Sequence, residues 1–468
     1  AQEVKRIYQG FQMSLDEQDA HVIHLSNELI DTNTDEYSCS WQLLKNGKTI
    51  ENGIVDNVSI APKADGTFQV NWTQPDSLDD KDELLLNISF TYKEDTVWAK
   101  AGDVYAAAQF DVSPTGLAAG NHAFDQSADN AFTDADLEQS ETALTVSKGN
   151  WSVGFDLEQG ALNSFKVDGK ELIAAPLEPN YWRAYTDNDK KEGVDGAWKN
   201  ANKNAQIHTS VSKGDKTIYV TVERILPEAK NSKDSITYSI TSSGDVFVQS
   251  SLAPSGQMGE LLRVGNRLEL DSSLENMTWY GNGKEDSYAD RKTGYDAGIW
   301  TDTVDNQFVS FVYPQETGNK TDVRWMALTD SSGKGLLVDA DDHLLSMSAL
   351  HYTQEDLDQA AHPYELTKKD STVLTIDYAQ MGLGTASCGP ATLSKYRLGT
   401  DHPYTYSYHL RPVSSSDDIE AITGVDIPDH TELVTGVTIG DKTVTNWNSA
   451  ISAYTFELNA DQSEVPEV

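Results

Sequence analysis

Short apolar segments with two-residue alternation dominate the chain. Tyr404, Tyr406, Tyr408 and Leu410 alternate with polar residues, and Ile236, Tyr238 and Ile240 do the same. A period of two puts such side chains on one face of a strand. Gly244-Asp245 supplies a turn ahead of Val246 and Val248. Asn46-Gly47 and Asp168-Gly169 predict tight hairpins, because both central positions of a type I′ turn need positive φ. One short helix is predicted, with Thr353 as N-cap and Asp356 at the third helical position.

The same reading divides the chain. Residues 1–112, with strand candidates at 11–15, 41–44 and 86–92, have the size and strand density of an immunoglobulin-like sandwich. In residues 113–139, Gly116, Gly120, Asn121, Asp125, Asp129, Asn130, Asp134 and Asp136 break the pattern, which predicts an extended linker. Residues 140–413 carry many β segments without alternating helices, which predicts a large antiparallel sandwich rather than an α/β barrel. The expected fold class is therefore all-β. Residues 414–468 open on the polar run Ser415-Ser416-Asp417-Asp418. Strand candidates at 437–439 and 454–458, with the Gly440-Asp441 turn between them, read as the start of a truncated small β module. Ala1 is no initiator Met and no apolar h-region follows it, so the N-terminus reads as cut from a longer polypeptide.

The 468 residues hold 35 Lys and Arg against 74 Asp and Glu, a formal charge of −39. Such a surface repels phosphate backbones and anionic membranes, which argues against nucleic-acid binding. No apolar run approaches the roughly 20 residues of a membrane span. The acidic coat favours a secreted or cell-surface protein over a cytoplasmic one. Cys39 and Cys388 are the two cysteines, too few and too far apart for a disulfide framework or a CxxC zinc site.

Candidate chemistry is sparse. Glycoside hydrolysis needs two carboxyls facing each other across the bond, and no spacing singles out a pair. Asp187-Asn188-Asp189 is the densest polar cluster, but Lys191 and Glu192 stand where a calcium loop would need a ligand and Gly. A turn bonded to nearby backbone N–H groups is the favoured reading. Cys388 sits in the loop GTASCGP at 384–390, and Ser387 lies in no G-x-S-x-G elbow. His362 and His402 are candidate bases for the cysteine, but an ordinary loop residue is the better reading. The histidines show no metal spacing. Trp182, Trp198, Trp279, Tyr280, Trp300 and Trp325 sit near Gly, Asn and Asp, a composition suited to sugar faces, with core packing as the favoured alternative for each.

Four segments add a resemblance. They are WRAYTDND at 182–189, WYGNGKEDSYADRKTGYDAG at 279–298, YPQETGNKTDVRW at 313–325 and DYAQMGLGTASCGP at 377–390. In order and gaps they resemble the large C-terminal sandwich of bacterial glycoside hydrolase family 2 β-galactosidases. VYAAAQFDV at 104–112 is similar to the sandwich that follows the barrel there. The resemblance implies a retaining β-galactosidase as parent, acting on β-galactosides such as lactose. Its acid/base and nucleophile glutamates would lie in a TIM barrel ahead of Ala1, so no catalytic carboxylate carries over. The resemblance also puts Mg2+, with Na+ as a second candidate, in that barrel. The implied partners are the barrel and N-terminal domains, the galactoside and, for a homo-oligomer, further copies. Asp187, Asn188, Asp189 and Cys388 would line the active-site mouth as substrate-binding residues. Well-known members carry a sugar-stacking Trp where Cys388 stands, in a loop one residue longer. The alternatives are a stand-alone carbohydrate-binding β protein and a natural small subunit of a split β-galactosidase.

Overall fold

The computed structural model describes residues 2–78, 82–113, 131–192, 196–214, 216–385 and 392–423, with the backbone of one strand pair, Thr438–Ile439 and Lys442–Thr443. The remainder of the expected third module, like most of the expected linker, lies outside the described residues. The described strands pair antiparallel throughout and the fold is all-β. Among the described residues no helix is long and apolar enough to cross a membrane.

The first part is a two-sheet sandwich. Strands Phe11–Leu15, Val22–Asn27 and Asp65–Gln69 form one sheet, and Lys48–Val55, Tyr37–Lys45, Leu84–Tyr92 and Val104–Asp111 form the other. Leu86, Ile88 and Phe90 alternate into the shared core with Phe11, Ile23, Trp41 and Leu43. Leu44 and Leu85 face the other way, into a cluster with Tyr280, Trp325 and Leu337 of the second part. Burial on both faces explains why residues 84–86 read as an unbroken leucine run.

The second part packs a nine-stranded and two five-stranded sheets around one apolar cluster. Leu268, Leu345, Met347 and Leu374 come from one five-stranded sheet, Val153 and Phe165 from the other, and Tyr238, Val248, Met326 and Tyr408 from the nine-stranded sheet. Phe132 joins this cluster and Leu137–Gln139 pairs with Ala143–Lys148, inside the stretch that reads as linker. Both hairpin turns form as the sequence predicts: φ is 49° and 79° at Asn46 and Gly47, and 52° and 78° at Asp168 and Gly169.

Among the described residues, four short α-helices accompany the sheets: α1, Gln2–Ile7; α2, Asp187–Glu192; α3, Gln354–Gln359; and α4, Ile419–Ile422. The predicted helix is α3, with the Thr353–Asp356 capping box formed. The favoured turn at 187–189 is instead the first turn of α2. Thr186 Oγ1 accepts the Asp189 N–H at 3.2 Å, and Asp189 Oδ2 accepts the Thr186 N–H at 3.0 Å. That is the same reciprocal pair at the same spacing.

Candidate functional site

Three chain segments meet at one rim of the second part. Residues 181–186 leave strand Ile173–Asn180 and lead into α2. Residues 381–385 leave strand Ser371–Gln380, and the tight turn at 288–291 carries Asp290. Arg183 is the post between the first two. It is fully buried and grips Asp189 with two bonds, Nε to Oδ2 at 3.0 Å and Nη2 to Oδ1 at 2.9 Å. It also donates to the Met381 carbonyl, and to the Gly382 carbonyl at 3.0 Å. Burial pulls the Arg183 pKa down, but the Asp189 charge overrides it and the net shift is upward.

Asp290 is the second post. Its Oδ1 accepts the Leu383 N–H, and its Oδ2 accepts the Gly384 N–H and the Thr385 hydroxyl, each at 2.9 Å. Asn188 closes the rim by donating to the Leu383 carbonyl at 2.8 Å. Gly384 has φ +139°, and a Cβ there would lie 2.1 Å from Asn188 Nδ2. The position is made for glycine on both counts.

This geometry assigns roles. Every carboxylate oxygen of Asp189 and Asp290 holds backbone, hydroxyl or guanidinium donors, so both carboxylates are braces rather than free acids or bases. Asp187, Lys190 and Lys191 face solvent, and Asn188 is half-buried. Lys190 Nζ lies 3.9 Å from the centre of the Tyr313 ring. Lys199 sits 4.4 Å over Trp182 and pairs with Asp358. Of the predicted Asp187, Asn188 and Asp189, Asn188 bonds Leu383 directly, Asp189 is linked to Met381 and Gly382 through Arg183, and Asp187 faces solvent. Cys388 lies outside the described residues. Arg183 and Asp290 were missed as posts, although both stand inside the matched segments.

Beneath the rim lies a buried charged layer. Arg263 bonds both Glu316 oxygens at 3.2 Å, and its Nε lies 3.1 Å from Asp377 Oδ2 without hydrogen-bond geometry. Gln380 donates to Glu316 at 3.2 Å and to Asn319 at 3.0 Å. Burial first, and then the Glu316 charge, push Asp377 up to about 8 against the pull of Arg263.

The other candidates resolve toward packing. Trp182, Trp198, Trp279, Tyr280 and Trp325 are buried, and Trp300 is half-buried with its indole N–H on the Gly281 carbonyl at 3.2 Å. His362 pairs with Glu365 at 3.1 Å and His402 with Asp401 at 2.9 Å, all four exposed. Burial pushes the Cys39 thiol up to about 12. Arg291 pairs with Asp286 at 3.1 Å, and Arg324 with Glu83 of the first sandwich.

Comparison with known proteins gives two family matches. The β-galactosidase small chain matches residues 147–410, and β-galactosidase domain 4 matches residues 23–113. The β-galactosidase of Priestia megaterium is 31% identical over 418 residues, covering 88% of this chain and 39% of that protein. The β-galactosidase of Lactobacillus delbrueckii subsp. bulgaricus is 30% identical over 391 residues, covering 81% and 36%. The chain therefore spans under two-fifths of the length of these relatives. Galactose 1-epimerase from Lactobacillus acidophilus aligns over 59% of this chain and 97% of its own, at 10% identity and a TM-score of 0.33, too low to bear on function.

Proposed function

The chain belongs to the β-galactosidase small-chain family, and from that premise we propose that it is the non-catalytic C-terminal portion of a retaining β-galactosidase of glycoside hydrolase family 2. In this reading the rest of the enzyme supplies a catalytic barrel with both carboxyls and its Mg2+, and Na+ if used. The rim of α2 and 381–385 borders the mouth of that barrel and orients the leaving-group side of a terminal β-D-galactoside such as lactose. The observation that carries the reading is the double brace of Asn188 and Asp290 on residues 383–385. It fixes the backbone of residues 383–385, and rigid backbone beside a reacting bond favours one substrate pose. The braced carboxylates contribute positioning and no proton transfer.

The test is Gly384→Ala in the polypeptide that joins this chain to the rest of the enzyme. A methyl at that φ displaces Asn188 and shifts the loop. KM for galactosides rises about tenfold, equivalent to about 1.4 kcal/mol of binding, while the variant stays folded with a modest fall in melting temperature. Unaltered KM and kcat in the folded variant contradict the proposal. By the same reading the chain alone binds lactose weakly or not at all, and tight binding points to an autonomous carbohydrate-binding module.

A further inference from the structure

Away from the rim, three side chains from distant parts of the sequence converge. Glu275 precedes strand Asn276–Gly283, Asp305 lies in the 3-10 turn Val304–Gln307, and His351 follows strand Leu345–Leu350. One potential ligand atom from each lies within 4.8 Å of the others. From this convergence we infer that Glu275, Asp305 and His351 form a binding site for a divalent transition-metal ion of the zinc class.

His351 is 3% exposed, and its Nδ1 lies 2.9 Å from the Ser371 carbonyl. Only an N–H approaches a carbonyl oxygen that closely, so Nδ1 carries a proton and donates. By the same rule Nε2, 2.7 Å from Glu275 Oε2 and 3.7 Å from Asp305 Oδ1, donates a hydrogen bond to Glu275, and an ion bound here takes the place of that proton. A histidine held by a backbone carbonyl through one nitrogen and aimed with the other is the usual second-sphere arrangement at metal sites. Glu275 is fixed as well, since its Oε1 accepts the Asp305 N–H at 3.2 Å and its carbonyl accepts the Val304 N–H at 3.0 Å. Both carboxylates reach solvent, with side-chain exposures of 30% and 58%, which leaves room for water ligands.

The spacing suits a small ion. Zinc sits about 2.0–2.2 Å from nitrogen and oxygen donors. Centring an ion among these three atoms draws Glu275 Oε2 back from its 2.7 Å contact with His351 and brings Asp305 Oδ1 in from 3.7 Å, and both side chains reach solvent. One imidazole with two carboxylates selects zinc-like ions over Mg2+ and Ca2+, which favour all-oxygen shells. One feature competes. Lys368 Nζ stands 2.6 Å from Asp305 Oδ1 and occupies that oxygen with a cation of its own. Its side chain is 47% exposed, and an ion pair this open costs little to displace, so it lowers affinity without blocking the site. A bound ion would clamp the turn at 304–307 to two sheets, at the head of the loop that brings Glu316 to Arg263 and its N–H to the Ala184 carbonyl.

The experiment uses the whole chain, stripped with chelator and titrated with zinc chloride by calorimetry and thermal melting. One equivalent binds with micromolar or tighter affinity and raises the melting temperature. Glu275→Gln and Asp305→Asn each weaken that equivalent about tenfold or more, as loss of a ligand does. Lys368→Ala tightens it. His351→Gln abolishes it, but His351 is buried, so the half-exposed Asp305 variant separates lost binding from lost folding. Zinc gathered by the acidic surface, or by the two-donor pairs at His24, His362 and His402, is insensitive to these changes. No saturable first equivalent, or one of equal affinity in the parent chain and both carboxylate variants, overturns the inference.

Discussion

One guanidinium serves two buried carboxylates where Arg263 lies between Glu316 and Asp377. The charge balance is met when Asp377 keeps its proton, in line with its rise to about 8 by burial. An unfolded Asp ionises near 3.8. Below that value both states are protonated and the contribution to stability is fully present. Between roughly pH 4 and pH 8 the unfolded state loses the proton and the folded state keeps it, so stability falls as pH rises. Asp377→Asn cannot ionise. Its melting temperature therefore falls less than that of the parent protein between pH 5 and pH 9, and parallel curves contradict this account. None of this was legible in the sequence, which shows Asp377 as one acid among 74. The same holds for Asp290, visible only as the neighbour of Arg291. Its bonds run to residues more than ninety positions away. Asn188 was legible only through the family resemblance, because nothing local tells a rim residue from a solvated turn.

Local signals at the scale of elements were readable where they were complete in themselves. Asn-Gly and Asp-Gly specify their turns through φ, and the Thr353–Asp356 spacing specifies the start of α3. The Thr186–Asp189 spacing carried the same information for α2 and was passed over, because six polar residues show no apolar stripe. The joint between the two sandwiches was not readable, since its members come from both. Arg324 and Tyr280 of the second converge on Glu83 of the first, and Gln109 exchanges two 2.8 Å bonds with the Ala297 backbone. Glu83 is 3% exposed, so removing its cation strands a buried charge. Arg324→Ala lowers stability by about 3–5 kcal/mol in denaturant titration, the scale for breaking a buried pair from one side. Arg291→Ala costs clearly less, because the Arg291 side chain is 35% exposed. Equal losses for the two would show that Arg324 does not couple the sandwiches as described.

Across the whole molecule, the matched segments far apart in the chain prove to be neighbours in space. Residues 182–189 and 377–385 meet at the rim, 279–298 supplies Asp290, and 313–325 supplies Glu316 and Arg324. The all-β class followed from the two-residue period, but the order of a nine-stranded sheet depends on pairings such as Val246–Ala253 with Tyr404–Val413, which no local pattern encodes. In the proposed reading this assembly shapes a galactosidase site and does not contain one. The most direct measurement is turnover of a chromogenic β-galactoside by the purified chain, beside the polypeptide that joins it to the rest of the enzyme. The account predicts turnover by the joined polypeptide and none above background by the chain alone, because positioned loops cannot replace a missing acid and nucleophile. Turnover by the chain alone, lost on replacing one of its own carboxylates, would contradict it.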